Sequence, residues 1–577
     1  MQKACAICLG NVRNGQGQAI FTAECSHSFH FSCIANSVRH GHYLCPICRC
    51  KWKEIPFQMP TTPNNNTPEN NFAWPHLTSD LVRYSDDEPL LVDPTCNPFS
   101  STPSDCVSVK AVPELPALAT LNSASKFAVL VGVRAPPLLD DSRRLERAPI
   151  DLVAVLDVSA SMAGSKLSLL KRAVHFVIDS LGLADRLSVV SFSSSARRIF
   201  PLRRMTHAGH EDARLAVDSL SSNGGTNVVA GLKKGVRVLE ERREQNPVAS
   251  IILLSDGKDT YNSYRMGPAW ALEYLKLLPV HTFGFGADHD SNALHAISEV
   301  SGGTFSFIES VGLVQDAFAR CIGGLLSVVA YELRLAVTSL SPAGVEILSI
   351  PSARYAHEIS EDRLRGAITI GELYADEEKE FLVYVSVPVC HKTGKTPLLK
   401  ITCSYRDITK SVVKVEGERV EIRRPDIPSP EDGIVSLEVD CQKVRLSVIE
   451  AIEEAKDLAE SGNLAGAKVL LTSANSDLLS LASARSGNGL CSLLEAELGE
   501  IRRRMANLHT YEHEGRAYML SGLSSHSSQR STTRSSNSGP VGYDTPSMVT
   551  MVSHSQTLSA EYYYREQASR LTRSTRV

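Results

Sequence analysis

The chain has 577 residues, of which 43% are hydrophobic and 21% charged, and its formal net charge is -4. This length exceeds what one hydrophobic core holds, so we expect several domains, and the weak net charge gives no reason to expect nucleic acid as a partner. No apolar run reaches the ~18 residues that a membrane span needs, and the first residues, MQKACAICLG, show no apolar signal-peptide segment. We therefore expect no transmembrane segment and a cytoplasmic location, with a nuclear or membrane-peripheral pool left open.

Seven of the fourteen cysteines lie in the first fifty residues, and the other seven are scattered singly along the chain. A secreted protein held by disulfides would not concentrate its cysteines in this way. The distribution indicates a metal-binding head in a reducing compartment, followed by reduced thiols that are mostly structural.

Eight cysteine and histidine residues of this head, 1–53, form four pairs with the spacing of metal ligands. Four pairs are enough for two closed tetrahedral zinc sites, and two sites in so short a segment hold together best when the pairs alternate. We therefore assign pairs one and three to one zinc and pairs two and four to the other. The first set is Cys5, Cys8, His30 and Cys33, and the second is Cys25, His27, Cys45 and Cys48. An iron–sulfur site fits less well, since histidine ligands suit zinc better here.

The full spacing, C-x2-C-x16-C-x-H-x2-H-x2-C-x11-C-x2-C, resembles a RING finger of the two-histidine type. The resemblance implies a domain that recruits a ubiquitin-charged E2 enzyme without forming a covalent intermediate. By the same resemblance Ile7 and Pro46 contact the E2, and the Arg49 guanidinium bridges E2 and ubiquitin. Ser37 stands where many such domains carry a tryptophan on the E2-facing helix, which leaves the choice of E2 open. A zinc ribbon or another small zinc fold without a ligase role is the alternative.

Residues 54–105 are rich in Pro, Asn, Ser and Asp and show little periodicity, which is typical of a flexible linker. Within them, 77–84 is a candidate for a short docking element.

Residues 148–327 alternate apolar strands with amphipathic helices, which predicts a doubly wound, mostly parallel sheet covered on both faces. On either side, 106–147 and 328–428 return to the period of two that is typical of antiparallel strands. We interpret these flanking parts as one β-sandwich-like domain that is split by the inserted α/β domain.

The carboxyl ends of the predicted parallel strands carry oxygen side chains. The segment DVSAS places Asp157, Ser159 and Ser161 on one turn, and later loops supply Thr226 and Asp256. Carboxylates and hydroxyls without thiols or imidazoles favour a hard divalent cation, magnesium first, with calcium or manganese as alternatives. The five residues resemble the metal-ion-dependent adhesion site of von Willebrand factor A domains, which implies that a partner's carboxylate completes the metal shell. A cation that merely ties loops together is the alternative.

Residues 434–520 carry apolar stripes at helical spacing and predict a helical region. The remaining residues, 521–577, are rich in serine and poor in core residues, so we expect them to be mostly disordered, with YDTPSMVTMV as a candidate recognition segment. The expected fold is thus multidomain: a two-zinc RING, an α/β domain of von Willebrand A type inserted in a β-sandwich, a helical region and a disordered tail.

The whole arrangement, including AIFTAECSHSFHFSCI and MLSGLSSHS, resembles the WAVY GROWTH family of plant RING-type E3 ubiquitin ligases. The resemblance implies an E2 enzyme and ubiquitin as partners, and a protein substrate selected by the von Willebrand A region, with autoubiquitination as well. It also implies a role in the direction of root growth and a leader before the RING. Since Met1 lies four residues before Cys5, we expect that the leader is absent or that the given sequence starts late. A non-catalytic, metal-dependent interaction scaffold stays open as the alternative; Ser37 favours it, and Pro46 and Arg49 together count against it. An extracellular protein like the inter-α-inhibitors would explain the split β-domain. The missing signal peptide and the zinc head count against the extracellular alternative.

Overall fold

The computed structural model describes residues Cys5, 20–22, Cys25, 27–30, Cys45, 47–48, 87–90, 106–138, 147–261, 278–340, 344–408, 410–534 and 542–574. The chain divides into two units, Met1–Asp80 and Leu81–Val577. The candidate docking element at 77–84 lies outside the described residues.

In the first unit a short antiparallel hairpin pairs β1 (Ile20–Thr22) with β2 (Ser28–His30). The Phe29 side chain on β2 is fully buried. The connection between the two strands carries Cys25 and His27. The hairpin therefore holds the second ligand pair together at one end.

In the second unit a block of mostly parallel strands stands in sequence between antiparallel strands that precede and follow it. In chain order they are β3 (Ser108–Pro113), β4 (Ala124–Arg134), β5 (Ile150–Asp157), β6 (Arg186–Phe192), β7 (Ala196–Arg204), β8 (Val248–Ser255), β9 (Val280–Phe285), β10 (Phe305–Ile308), β11 (Val328–Ser339), β12 (Glu346–Ser349), β13 (His357–Ile359), β14 (Arg365–Tyr374), β15 (Glu378–Val387), β16 (Gly394–Asp407) and β17 (Val412–Arg424).

The longer helices of the same unit are α1 (Ser165–Ser180), α2 (His207–Asp218), α3 (Val228–Glu240), α4 (Ser291–Ser301), α5 (Val314–Leu325), α6 (Leu437–Glu460), α7 (Leu464–Ser480), α8 (Gly489–Arg504), α9 (Arg516–Ser528) and α10 (Pro546–Ser574). Short helical turns at Ala160–Met162, Val311–Leu313, Pro430–Gly433, Ala482–Arg485, Leu508–Thr510 and Tyr511–Gly515 complete the described helices. Among the described residues, no helix combines the length and apolar character needed to cross a membrane.

The α/β domain is built on a six-stranded sheet in the order β10-β9-β8-β5-β6-β7, parallel except for the edge strand β7. Every residue of the central strand β5 is buried, because helices cover both faces of the sheet. Val153 and Val155 pack on the face covered by α3, and Leu152 and Leu156 pack on the face covered by α1 and α5. Asp157, the last residue of β5, is thereby fixed at the carboxyl edge of the sheet.

A β-sandwich surrounds this domain in sequence. One sheet has the order β13-β14-β11-β16-β17 and the other β12-β15-β4-β3. Strands β3 and β4 precede the α/β domain and all the others follow it, so the chain leaves the sandwich, builds the α/β domain and returns. The predicted insertion is confirmed. Side chains such as Val131, Leu335 and Val383 interdigitate between the sheets as the alternating pattern requires.

The helical region shares its core with the α/β domain. Val448 and Ile452 of α6, and Leu498 of α8, belong to the same buried apolar cluster as Val153 and Phe305 of the sheet. The helices therefore cover sheet surface that the α/β domain's own helices leave open.

The Ser-rich C-terminal segment is ordered where it is described, and the expectation of a mostly disordered tail is wrong there. Helix α9 continues to Ser528, the residues up to 533 stay buried, and α10 packs against α5 through Met548 and Val552. The physical reason is hydrogen bonding: the Ser524 hydroxyl accepts a bond from the Phe305 N–H of β10 at 2.9 Å. Small polar side chains with partners tolerate burial, and composition alone does not reveal such partners.

Arg530 ties this C-terminal segment to the sandwich. Its guanidinium donates to the Glu377 carboxylate at 2.8 and 3.3 Å and to the Glu372 carbonyl oxygen at 2.9 Å, and it lies 3.8 Å from the Tyr374 ring centroid. Lys379 also donates to Glu377 at 2.9 Å. The carboxylate thus balances two buried cations, and the two cations together keep the pKa of Glu377 below its usual range although burial alone would raise it.

We expect Arg530→Met to destabilise the second unit by about 3 kcal/mol, because it removes a buried charge partner and two hydrogen-bond donors. Urea unfolding followed by circular dichroism measures the loss. The matched control is Arg365→Met on β14, whose side chain is 72% exposed and should change stability by about 0.5 kcal/mol at most. Equal losses in the two variants would contradict the anchoring role of Arg530.

Candidate metal centres

The second predicted zinc set is brought together in the structure. One ligand atom from each of Cys25, His27, Cys45 and Cys48 lies within 4.8 Å of all the others. The His27 Nδ1 atom is 3.4 Å from the Cys25 sulfur and 3.7 Å from the Cys45 sulfur. With Zn–S and Zn–N bonds of about 2.0–2.3 Å, ligand atoms around a tetrahedral ion stand at separations of this size.

The Cys45 sulfur is suited to act as a thiolate. Burial opposes its ionisation, but hydrogen bonds from the backbone N–H groups of Cys48 and Ile47, together with those from the Cys25 and Cys48 thiols, lower the pKa of the Cys45 thiol. Because the thiolate is the form that binds zinc, this local backbone geometry favours a metal.

The first predicted zinc set is described only in part. Cys5 is buried and His30 ends β2, whereas Cys8 and Cys33 lie outside the described residues. The predicted E2-contact residues Ile7, Pro46 and Arg49 also lie outside them. The assignment of these five residues stays a prediction.

At the carboxyl edge of the α/β sheet, the predicted oxygen ligands form one continuous cluster. The Ser159 N–H donates to Asp157 Oδ1 at 2.8 Å, and the Ser159 and Ser161 hydroxyls are 2.9 Å apart. The Ser161 hydroxyl donates to Asp256 Oδ1 at 2.7 Å. Residues separated by about a hundred positions in sequence therefore meet at one point.

Thr226 reaches this cluster next to a glycine. A methyl group at Gly257 would lie 3.1 Å from Thr226 Oγ1 and 3.9 Å from Ser161 Oγ. The absence of a side chain at Gly257 leaves the space between these two hydroxyls open.

The donor set fits a hard divalent cation. Asp157 is fully buried, and burial, with the nearby charge of Asp256, raises the pKa of its carboxyl group. A divalent cation held by these residues would offset the repulsion of the two carboxylates, and three hydroxyls with two carboxylates are ligands that magnesium accepts. Asp157, Ser159, Ser161, Thr226 and Asp256 are the residues that would hold it.

Sequence reasoning missed Lys166. Its ammonium donates to Asp256 Oδ2 at 2.6 Å and lies 5.3 Å from the Phe285 ring centroid. One sequence signal could have indicated a nearby carboxylate: Lys166 lies in the first turn of α1, where the helix dipole disfavours a cation unless an anion is near.

Comparisons with known proteins match these parts in turn. Residues 5–34 match the model of a RING-like zinc finger, residues 151–320 that of the von Willebrand factor type A domain, and residues 488–557 that of the VWA / Hh protein intein-like family. The E3 ubiquitin-protein ligase WAV3 of Arabidopsis thaliana is 32% identical over 89% of this chain and 76% of its own length. WAVH1 of the same plant, also an E3 ubiquitin-protein ligase, is 31% identical over 86% of this chain and 73% of its own.

The chain belongs to the WAVY GROWTH family of RING-type E3 ubiquitin ligases. Its membership makes it an E3 ubiquitin-protein ligase. By contrast, the inter-alpha-trypsin inhibitor heavy chain H3 of Mesocricetus auratus matches only 26% of this chain and 18% of its own length. A von Willebrand factor type A structure from Catenulispora acidiphila aligns with a TM-score of 0.53 and 16% identity over 76% of this chain and 100% of its own, which shows a common fold.

For this WAVY GROWTH chain, we expect Asp157→Asn to abolish stabilisation by Mg²⁺ without unfolding the protein. The amide keeps the size of the carboxyl group and can accept the bond from the Ser159 N–H, and the Ser255 hydroxyl, which donates to Asp157 Oδ2, can turn to accept from the amide nitrogen. The metal-free variant should therefore match the wild type within about 1 kcal/mol. At a Mg²⁺ concentration about 100-fold above its Kd, the wild type alone should gain about 2.7 kcal/mol. Thermal unfolding with and without Mg²⁺ measures both quantities.

The control is Asp218→Asn, an acid at the end of α2 whose side chain is 58% exposed. It should keep the full gain. A Mg²⁺ response that survives in Asp157→Asn would contradict the metal assignment.

Proposed function

We propose that this ligase recruits a ubiquitin-charged E2 through its zinc head and promotes transfer of ubiquitin to substrate lysines and to lysines of its own. The proposal rests on one observation: the ligand atoms of Cys25, His27, Cys45 and Cys48 lie close together. If the second and fourth ligand pairs share one zinc, the third pair, His30 and Cys33, remains to share the other zinc with Cys5 and Cys8. This alternation is the arrangement expected of a RING with two zincs.

In this proposal Ile7 and Pro46 contact the E2, and Arg49 bridges E2 and ubiquitin. Ile47 supports an apolar contact surface beside Pro46, because this large apolar side chain is 48% exposed. The RING contributes orientation: it holds the thioester in a reactive pose for an incoming lysine, and no residue of the head forms a covalent bond to ubiquitin.

We expect Ile7→Ala and Arg49→Ala each to slow discharge of E2-bound ubiquitin onto free lysine by roughly tenfold or more. For Arg49 the reason is the loss of charge-assisted hydrogen bonds, worth about 1.5–3 kcal/mol. The assay combines E1, a panel of E2 enzymes, ubiquitin and ATP. Arg13→Ala, which removes a different cation of the head, serves as the control and should keep full activity.

Zinc content separates loss of contact from loss of fold, since every variant should bind two zincs per chain. If the wild type binds two zincs and yet discharges no E2 of the panel, the positioning proposal fails. A non-catalytic interaction scaffold, which Ser37 favours, would then describe the isolated chain better.

We further propose that the von Willebrand A domain selects the substrate through a divalent cation, magnesium first, with calcium or manganese as alternatives. An acidic side chain of the substrate would complete the metal shell. Support comes from the intact set of oxygen ligands at the sheet edge. By family resemblance, we expect the substrates to be proteins that control the direction of root growth.

We expect Thr226→Ala to separate the two activities: autoubiquitination in vitro stays unchanged, while the ubiquitination of substrates in cells falls. The reason is that the variant loses one metal ligand and leaves the head intact. Quantitative proteomics of ubiquitinated peptides measures the substrate set. Thr472→Ala, which removes an exposed hydroxyl on α7, is the control, and an unchanged substrate set in Thr226→Ala would contradict selection by the metal.

A further inference from the structure

The edge strand β7 of the α/β sheet is strongly basic. Its sequence, ARRIFPLRR, has four arginines in nine residues, and one side of the strand has no neighbour within the sheet. An edge strand offers unpaired backbone N–H and C=O groups to another extended segment.

Residues Asp87–Leu90 occupy this edge. The Glu88 N–H donates to the Leu202 carbonyl oxygen at 3.0 Å, and the Leu202 N–H donates to Asp87 Oδ1 at 3.3 Å. The Arg204 N–H donates to Glu88 Oε2 at 3.0 Å. A short acidic segment thus satisfies the edge through both its backbone and its carboxylates.

Charge complementarity reinforces this docking. Arg198 Nη1 lies 2.7 Å from Asp87 Oδ1, and both side chains are less than 10% exposed. Arg203 and Arg204 each place Nε 3.5 Å from the Glu88 carboxylate. Two carboxylates therefore face three guanidinium groups.

Arg186 connects the docked residues 87–90 to the buried interior of the α/β domain. This fully buried residue holds Asp151 through two hydrogen bonds of 2.7 and 2.8 Å, and its remaining Nη1 donates to the Glu88 carbonyl oxygen at 2.8 Å. The Leu90 N–H in turn donates to Glu244 Oε2 at 2.6 Å. A buried charged side chain, fixed by its own partner, thus points a donor at the docked backbone.

We propose that the β7 edge is a docking groove for an extended acidic peptide, and that residues 87–90 are its exchangeable occupant within the chain. The groove binds two adjacent carboxylates through its arginines, and it binds the backbone that carries them through hydrogen bonds. An acidic segment of a partner would compete for the same contacts.

The test is binding of a fluorescein-labelled peptide of residues 84–92, YSDDEPLLV, to the full chain, measured by fluorescence anisotropy. Asp87→Lys/Glu88→Lys in the full chain reverses the charge of the occupant and should empty the groove. Because the occupant acts at a high effective concentration in the wild type, the emptied variant should bind the peptide roughly tenfold or more tightly. Raised salt should weaken the binding.

Three controls make the result specific. The peptide with Asn and Gln at positions 87 and 88 should not bind, Arg198→Gln added to the emptied variant should abolish binding, and Asp140→Lys/Asp141→Lys should behave as the wild type. The proposal is overturned if the peptide binds neither form, binds wild type and emptied variant equally, or binds without its carboxylates. None of these readouts depends on ligase activity, so failure here and failure of the proposed function are distinguishable.

Discussion

Ser524 and Thr533 hydrogen-bond to the outer strand β10, so the C-terminal segment 524–534 closes one edge of the von Willebrand A sheet. The same segment reaches the sandwich through Arg530 and the helical region through the His526 carbonyl oxygen, which accepts a bond from Arg445 at 2.9 Å. Three parts of the chain thereby share one buried polar segment. Because each of these groups has a partner, burial is tolerated, and moving one part would leave charges of the others unpaired.

This constraint fixes the positions of the residues that would hold the divalent cation. Asp157 ends a strand that is buried along its length, and Asp256 follows the neighbouring strand, so their separation depends on the sheet. The sheet in turn has both edges covered by segments from outside the domain: residues 524–534 at β10 and residues 87–90 at β7. Covered edges leave fewer backbone groups unpaired, and the covering segments connect the von Willebrand A domain to other parts of the chain.

Much of this arrangement follows from the sequence, because its signals are local. The spacing of cysteines and histidines, the DVSAS turn and the alternation of apolar residues each reveal ligands or elements without knowledge of distant partners. The Ser-rich segment after 521 gave the opposite result, since low apolar content predicts disorder whereas Arg530 finds Glu377 more than 150 positions away. Asp87 and Glu88 likewise read as part of a solvated linker until the arginines of β7, more than 100 residues later, are placed beside them. Composition predicts which segments bury apolar side chains, but it does not predict which polar side chains pair over long sequence distances.

We infer that the α/β domain, the sandwich and the C-terminal segment unfold as one unit. The most direct test is native-state hydrogen exchange across a series of urea concentrations, measured by mass spectrometry. If the C-terminal segment joins the three parts, peptides from β5, from β15 and from 524–533 should open together, with one free energy and one dependence on urea. Rapid exchange of 524–533 under native conditions, or separate opening of β5 and β15, would contradict the account.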